Sequence, residues 1–263
     1  MSGPAERSVL LTVEYDGTAY VGWQRQPSFQ GVSVQQRLEE ALSHILSHPV
    51  SVVGAGRTDA GVHALGQRCN FRCDKPLPLD RLPLILNHRL PPDIRVSRAE
   101  EVPAEFHARF CARGKHYRYL LERQAPPSAF GGRWSWQLEE EPDVGLMRQA
   151  AASLIGEHDF RHYTLAACET KTFTRTVTRL ELTEPEEPVP PVAPLPALHR
   201  PIVLDIEGSG FLYKMVRLIA GRLVALGLGQ LTPEEFAGFL DGSCQRNIPP
   251  APAKGLTLME VRY

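Results

Sequence analysis

The sequence predicts an α+β fold of two units side by side, divided at residue 104 into 1–104 and 105–263. Short stretches alternate apolar and polar residues, as half-buried strands do. Longer stretches repeat apolar residues at helical spacing, and the strand–helix–strand order recurs in both halves.

The first strand is expected over 9–15, closing on the Asp16-Gly17 turn. Ser33 then caps a helix with Gln36 as its capping-box partner. Val34, Leu38, Ala41, Leu42, Ile45 and Leu46 supply its buried stripe. Strands follow over 50–53 and 67–73, the second pointing Arg68, Asn70 and Arg72 outward and Cys69, Phe71 and Cys73 inward. A short helix over 82–88 stops ahead of Pro91 and Pro92, and 94–99 forms another strand.

In the second half a strand is expected over 115–122, a helix over 144–155 closed by Gly156, and a strand over 173–183. Residues 184–201 are dense in proline, which lacks a backbone donor, so they read as an extended connection away from the chemistry. A strand over 202–207 feeds a helix starting at Phe211. Thr232, Pro233 and Glu235 begin the last helix, and 256–262 closes the sheet.

With 29 Lys and Arg against 30 Asp and Glu, the net charge of −1 argues against indiscriminate coating of nucleic acid. Yet 24 of the 29 cations are arginine, which favours forked recognition of phosphates or carboxylates. Between Phe106 and Leu121 the chain carries Arg109, Arg113, Lys115 and Arg118 and no acid, which reads equally as a solvated strand edge or a phosphate surface. No apolar run reaches the roughly 18 to 20 residues of a membrane span, and no signal-peptide core precedes the first strand. A cytosolic protein is expected. Five cysteines without a paired short spacing fit reduced thiols, and Cys69 and Cys73 lack the second pair that zinc would need.

Two segments depart from local rules. The loop 54–63 is polar and punctuated by three glycines, with Arg57 and Asp59 two apart and so on one face of extended backbone. An Asx-turn in a hairpin is the plain reading; a ligand loop is the functional one. The expected helix 211–227 is apolar almost all round, yet holds Arg217, which either reaches solvent or meets an anionic partner.

Seven blocks, YDGTAYVGWQ (15–24), GRTDAGVH (56–63), Leu86-Asn87 with Leu90-Pro91, FHAR (106–109), KHYRY (115–119), GEHDF (156–160) and GFLYKMVR (210–217), run in the order found in the TruA family of tRNA pseudouridine synthases. The chain resembles the bacterial form of that family over its whole length. The resemblance implies two similar ferredoxin-like halves sharing a continuous mixed, mainly antiparallel sheet with a basic cleft. It implies an isomerase acting on uridines 38, 39 and 40 of the tRNA anticodon arm, as a homodimer, with no metal, cofactor or energy source. Carried over position by position, Asp59 is the catalytic aspartate, Arg57 the residue entering the stem as the base leaves, Tyr117 the ring against the target base, and Arg217 the partner of Asp59.

Chemistry gives these assignments a reason. Breaking the N-glycosidic bond builds positive charge at C1′, which an ionised Asp59 stabilises, either bonding to C1′ or taking a proton from C2′. Thr58 beside it belongs to the substrate-contacting set. Tyr117, Phe211 and Leu256 are the candidates for an apolar lid over the detached base. Base flipping costs a few kcal/mol, which Arg57 would offset in part. Arg109, Arg113, Arg118 and Arg25 are expected on phosphates, ahead of Arg68 and Arg72.

His63, His107 and His158 read as structural hydrogen-bonding groups, and Trp23, Trp134 and Trp136 as packing residues. The departures from the family pattern are the proline-rich insertion and His162-Tyr163. Two rivals were weighed: an RNA chaperone on the same scaffold, and a metal-dependent nuclease or phosphatase using Asp16, Asp59 and Asp205.

Overall fold

The computed structural model describes residues 7–27, 30–123, 131–165, 170–186 and 201–263. Two compact units are present, Met1–Arg113 with Leu258–Tyr263, and Gly114–Thr257. The fold is mixed α+β with mostly antiparallel strand pairing.

In the first unit the elements are β1 (Arg7–Tyr15), α1 (Val34–Leu46), β2 (Val53–Gly54), β3 (His63–Cys73), α2 (Leu82–Asn87) and β4 (Ile94–Val102). β1 lies between β3 and β4 and is antiparallel to both, with Leu11 opposite Cys69 on one side and Ala99 on the other. Val9, Leu11 and Val13 are wholly buried, so the expected apolar alternation anchors this sheet. α1 starts where Ser33 Oγ accepts the Gln36 amide. Gln36 does not complete the capping box, because its side chain donates instead to Glu40 one turn on.

The expected outward direction of Asn70 is corrected. Asn70 is buried: its Nδ2 donates to Ser8 Oγ and Phe106 O, and its Oδ1 accepts the Ala108 amide. A buried amide needs such partners, and here they come from Ser8 on β1 and from the loop that follows β4. The Arg113 amide also donates to Arg262 O. Residues 103–113 therefore stay with the first unit, and the division falls at Arg113 where the sequence suggested 104.

The second unit holds β5 (Gly114–Arg123), β6 (Trp136–Leu138), α3 (Val144–Ala152), β7 (Gly156–Asp159), β8 (Thr174–Thr183), β9 (Pro201–Gly208), α4 (Met215–Gly227) and α5 (Pro233–Asp241). Its strands run in the order β5-β9-β8-β7, with β6 parallel to β5. The Thr232 and Glu235 box is fully formed at the start of α5. The last strand, β10 (Leu256–Arg262), begins in this unit and ends in the first.

Two helix bounds differ from expectation. α3 stops at Ala152, and Gly156, with φ 112°, opens β7 rather than closing the helix. α4 starts at Met215, four residues after Phe211, because Lys214 takes a left-handed conformation (φ 59°) and residues 209–214 run as irregular chain. Most of the proline-rich segment, 187–200, lies outside the described residues, as does Cys168. Among the described residues no helix is long and apolar enough to cross a membrane.

Replacing Asn70 by alanine should strand the Ala108 amide and the Phe106 carbonyl, costing about 2 kcal/mol or more. Urea unfolding, with the midpoint lowered at unchanged slope, is the check.

Candidate active site

The loop between β2 and β3 carries Arg57, Thr58 and Asp59, and the segment after β1 holds it from outside. The Tyr15 hydroxyl lies 2.9 Å from Thr58 Oγ1 in a buried hydrogen bond, and the Trp23 amide donates to Thr58 O at 3.1 Å. Burial pushes the Tyr15 phenol above its ordinary range, against the lowering effect of Thr58 and Gln67, so the hydroxyl keeps its proton. Gly22 has φ 105°, and a Cβ there would stand 2.5 Å from Thr58 O. No other L-residue fits this approach without displacing the loop.

The loop has its own bonds as well. The Val62 amide donates to Asp59 O at 3.1 Å, the Ala55 amide to Arg68 O, and Gln67 Nε2 to Gly56 O. The result is a rigid turn in which Thr58 is buried, Asp59 is half-buried and Arg57 is exposed. β2 and β3 pair antiparallel, and the loop between them is fixed.

The foot of this loop is a contact between His63 and Asp16 that the sequence did not reveal. His63 is 2% exposed, and its Nδ1 lies 3.1 Å from both the Asp16 carboxylate and the Gly17 amide nitrogen. Burial alone would raise Asp16. Hydrogen bonds from His63 and Thr18 overcome it and hold the carboxyl well below the usual carboxylate range. His63 is thus a structural group, as expected. The same holds for His107, whose Nδ1 accepts the Arg109 amide, and His158, whose Nε2 faces Ile155 O at 3.1 Å.

In the second unit Tyr117, on β5, is buried and meets Phe211 edge to face, ring centroids 5.4 Å apart. This contact explains the late start of α4: Phe211 lies against the β5 strand, so its backbone cannot also enter the helix. Leu256 is buried at the start of β10. Arg217 occupies the first turn of α4, not its middle. It is half-buried, its Nε donates to Ala251 O at 2.7 Å, and the Ala251 amide returns a bond to Arg217 O.

The most buried guanidinium on this helix is Arg222, which sequence reasoning passed over. It lies 3.8 Å from the Phe239 ring centroid and 4.2 Å from that of Tyr163, and donates to His162 O. For Arg222, aromatic faces take the place of an anion.

The candidate phosphate arginines divide. Arg109, Arg113, Arg25 and Arg72 are exposed. Arg118 grips Asp205 through Nε and Nη2, both at 3.0 Å, and Asp205 also meets His116 Nε2 at 2.6 Å. Arg68 is paired with Glu100 and bonded to Thr12. Trp23 is buried beside Tyr15, Trp134 packs on Leu120 and Val203, and Trp136 meets Tyr119, all as packing residues. Among the described residues no three His, Cys, Asp or Glu side chains are gathered as a metal ion would require.

A two-unit α+β chain with an aspartate on a clamped loop defines a class before it defines a protein, and comparison with known proteins supplies the rest. The family model described as tRNA pseudouridine synthase matches residues 11–111 and 150–263. Proteins called tRNA pseudouridine synthase A are similar throughout. That of Syntrophotalea carbinolica is 43% identical over 97% of this chain and 96% of its own. That of Geobacter sp. strain M21 is 43% identical over 98% and 99%, and that of Moorella thermoacetica 40% over 96% and 98%. A solved Cbf5-Nop10-Gar1 complex aligns at 12% identity and TM-score 0.38, covering 95% of this chain and 48% of that one.

The chain belongs to the tRNA pseudouridine synthase family. It is thereby an isomerase of the class that converts uridine to pseudouridine in tRNA.

Because the folded Asp16 carboxyl is held low, its contribution to stability is present above the ordinary carboxylate value of about 3.9 and is lost as pH falls through the lowered folded value. Asp16→Asn should therefore be less stable than the wild type at neutral pH, with the gap closing in strong acid. Thermal unfolding of both proteins across pH is the measurement; a gap that widens in acid would contradict this reading.

Proposed function

We propose that this chain isomerises uridines 38, 39 and 40 in the anticodon arm of tRNA, with Asp59 as the catalytic carboxylate. The observation that carries the reading is the clamped loop, which keeps Thr58 buried and Asp59 half-buried between an exposed Arg57 and the Asp59–Val62 turn. A carboxylate in that setting is fixed in direction and still reachable, as attack on a flipped-out nucleoside demands.

In the proposed reaction the N1–C1′ bond of the target uridine breaks as Asp59 either bonds to C1′ or accepts the C2′ proton. The freed uracil turns and C5 bonds to C1′ as the Asp59–C1′ bond breaks or, on the other route, as the proton returns to C2′; C5 then loses its proton and N1 gains one. No oxidant, reductant or energy source enters this balance. Arg57 fills the space left in the stem, and Tyr117 with Phe211 covers the base. That edge-to-face pair is an apolar, pre-formed surface of the right kind. Leu256 joins the same lid, and Arg217 takes the supporting part that the resemblance gives it.

Phosphate contacts are assigned to Arg109 and Arg113, which are exposed, with Arg25 and Arg72 after them. Arg118 spends its fork on Asp205, so we give it the lesser part in binding and a larger one in fixing β5 against β9. As the resemblance implies, the enzyme acts as a homodimer, and its cysteine pattern fits the reducing cytosol.

The test is tritium release from 5-tritiated uridine in an anticodon arm. Asp59→Asn should bind tRNA nearly as the wild type does and release no tritium; wild-type release would defeat the assignment. Arg217→Met should lose activity, with a loss of stability from the Ala251 bond. An active, equally stable variant would remove Arg217 from the scheme.

A further inference from the structure

Phe110 is the most exposed large hydrophobic side chain among the described residues, at 76%, and nothing in the proposed chemistry uses it. It sits in the turn after β4 that Asn70 anchors through Phe106 O and the Ala108 amide. The Phe110 amide donates to His107 O at 3.0 Å, and the His107 ring stacks on the Phe110 ring with centroids 4.2 Å apart and planes at 29°. The Arg109 guanidinium stands 5.9 Å from the same ring centroid.

A single exposed apolar side chain is ordinary, but this one is held out on a built support. Its turn is tied to the buried Asn70 through Phe106 and Ala108, and its ring is steadied by a second ring. Its surroundings are cationic: Arg109 and Arg113 are exposed beside it, and Glu105 is the one acid between residues 103 and 113. An aromatic face with arginines at its edge is the arrangement that takes an unpaired base while its phosphates meet the cations.

We infer that Phe110, backed by His107, is a stacking platform for an unpaired nucleobase of the RNA substrate, with Arg109 and Arg113 on the adjoining phosphates. The inference rests on the RNA-modifying function proposed above and adds to it a subsite outside the Asp59 chemistry. Such a platform reads unstacked bases without regard to identity, so it favours a loop over an uninterrupted duplex.

Two RNAs test it: a tRNA anticodon stem-loop, and the same strand annealed to its full complement. Affinity and pseudouridine formation are measured on the same samples. Phe110→Leu keeps an apolar side chain but loses the ring face, and should weaken stem-loop binding about 5- to 100-fold, the range of one base–aromatic stack. Duplex binding should not change, and Phe110→Trp should keep the stem-loop affinity. The salt dependence of binding should be unaltered in Phe110→Leu and shallower by about one unit in Arg109→Gln.

Equal stem-loop affinity of Phe110→Leu and wild type would overturn the platform. So would a Phe110→Leu defect confined to self-association in sedimentation, which would make this face a contact between copies of the chain. If the wild type binds the stem-loop through Phe110 yet forms no pseudouridine, the functional reading fails and the platform stands. Product formation with an indifferent Phe110 gives the reverse.

Discussion

The fixed position of the 55–62 loop depends on one contact set: the residues after β1 grip Thr58 by its hydroxyl and its carbonyl. Tyr15 reaches the side chain and Trp23 the backbone, while Gly22 supplies the close approach that a side chain would prevent. Beneath, the Asp16–His63 pair fixes the turn from which that gripping segment departs. Each part is individually modest, at about 1 kcal/mol for a neutral hydrogen bond and more for a charged one. Converging on Thr58, they convert a glycine-rich loop, which on its own would sample many conformations, into a fixed mount.

The second unit solves a different problem by similar means. Phe211 is drawn onto Tyr117, the backbone then makes a left-handed step at Lys214, and only after it does α4 begin. The price of that strained lysine is of order 1 kcal/mol. In return the first turn of α4 presents Arg217 to Ala251 instead of burying it among aliphatic side chains. Deeper in the same helix Arg222 is enclosed by Tyr163 and Phe239, so the one helix holds two arginines in two unlike environments.

Much of this was legible in the sequence where the cause is local. α1 follows from Ser33 and a clean apolar stripe, and α5 from Thr232, Pro233 and Glu235, because caps and periodicity act within a few residues. The bounds of α4 were not, since Phe211–Lys214 is a good helical sequence overruled by a contact with a distant strand. Asn70 broke its expected alternation because the loop after β4 offered it two partners and Ser8 on β1 a third. β6 and β7 were missed as strands of three and four residues, too short to show a period. For the candidate site, the spacing of Arg57 and Asp59 placed both on the loop correctly, whereas the Tyr15, Gly22 and Asp16 supports are tertiary and leave no periodic trace. Phe110 went unremarked for a related reason: periodicity marks which apolar residues should be inside, not which one is held outside.

The central claim is that the loop works because it is clamped, and the Tyr15 hydroxyl is the part of the clamp that can be removed with least other disturbance. The direct measurement is the single-turnover rate of pseudouridine formation by Tyr15→Phe at saturating enzyme, alongside its affinity for the same tRNA. The account predicts a slower chemical step at nearly unchanged affinity. A variant that turns over at the wild-type rate would show that catalysis does not depend on how Thr58 is held.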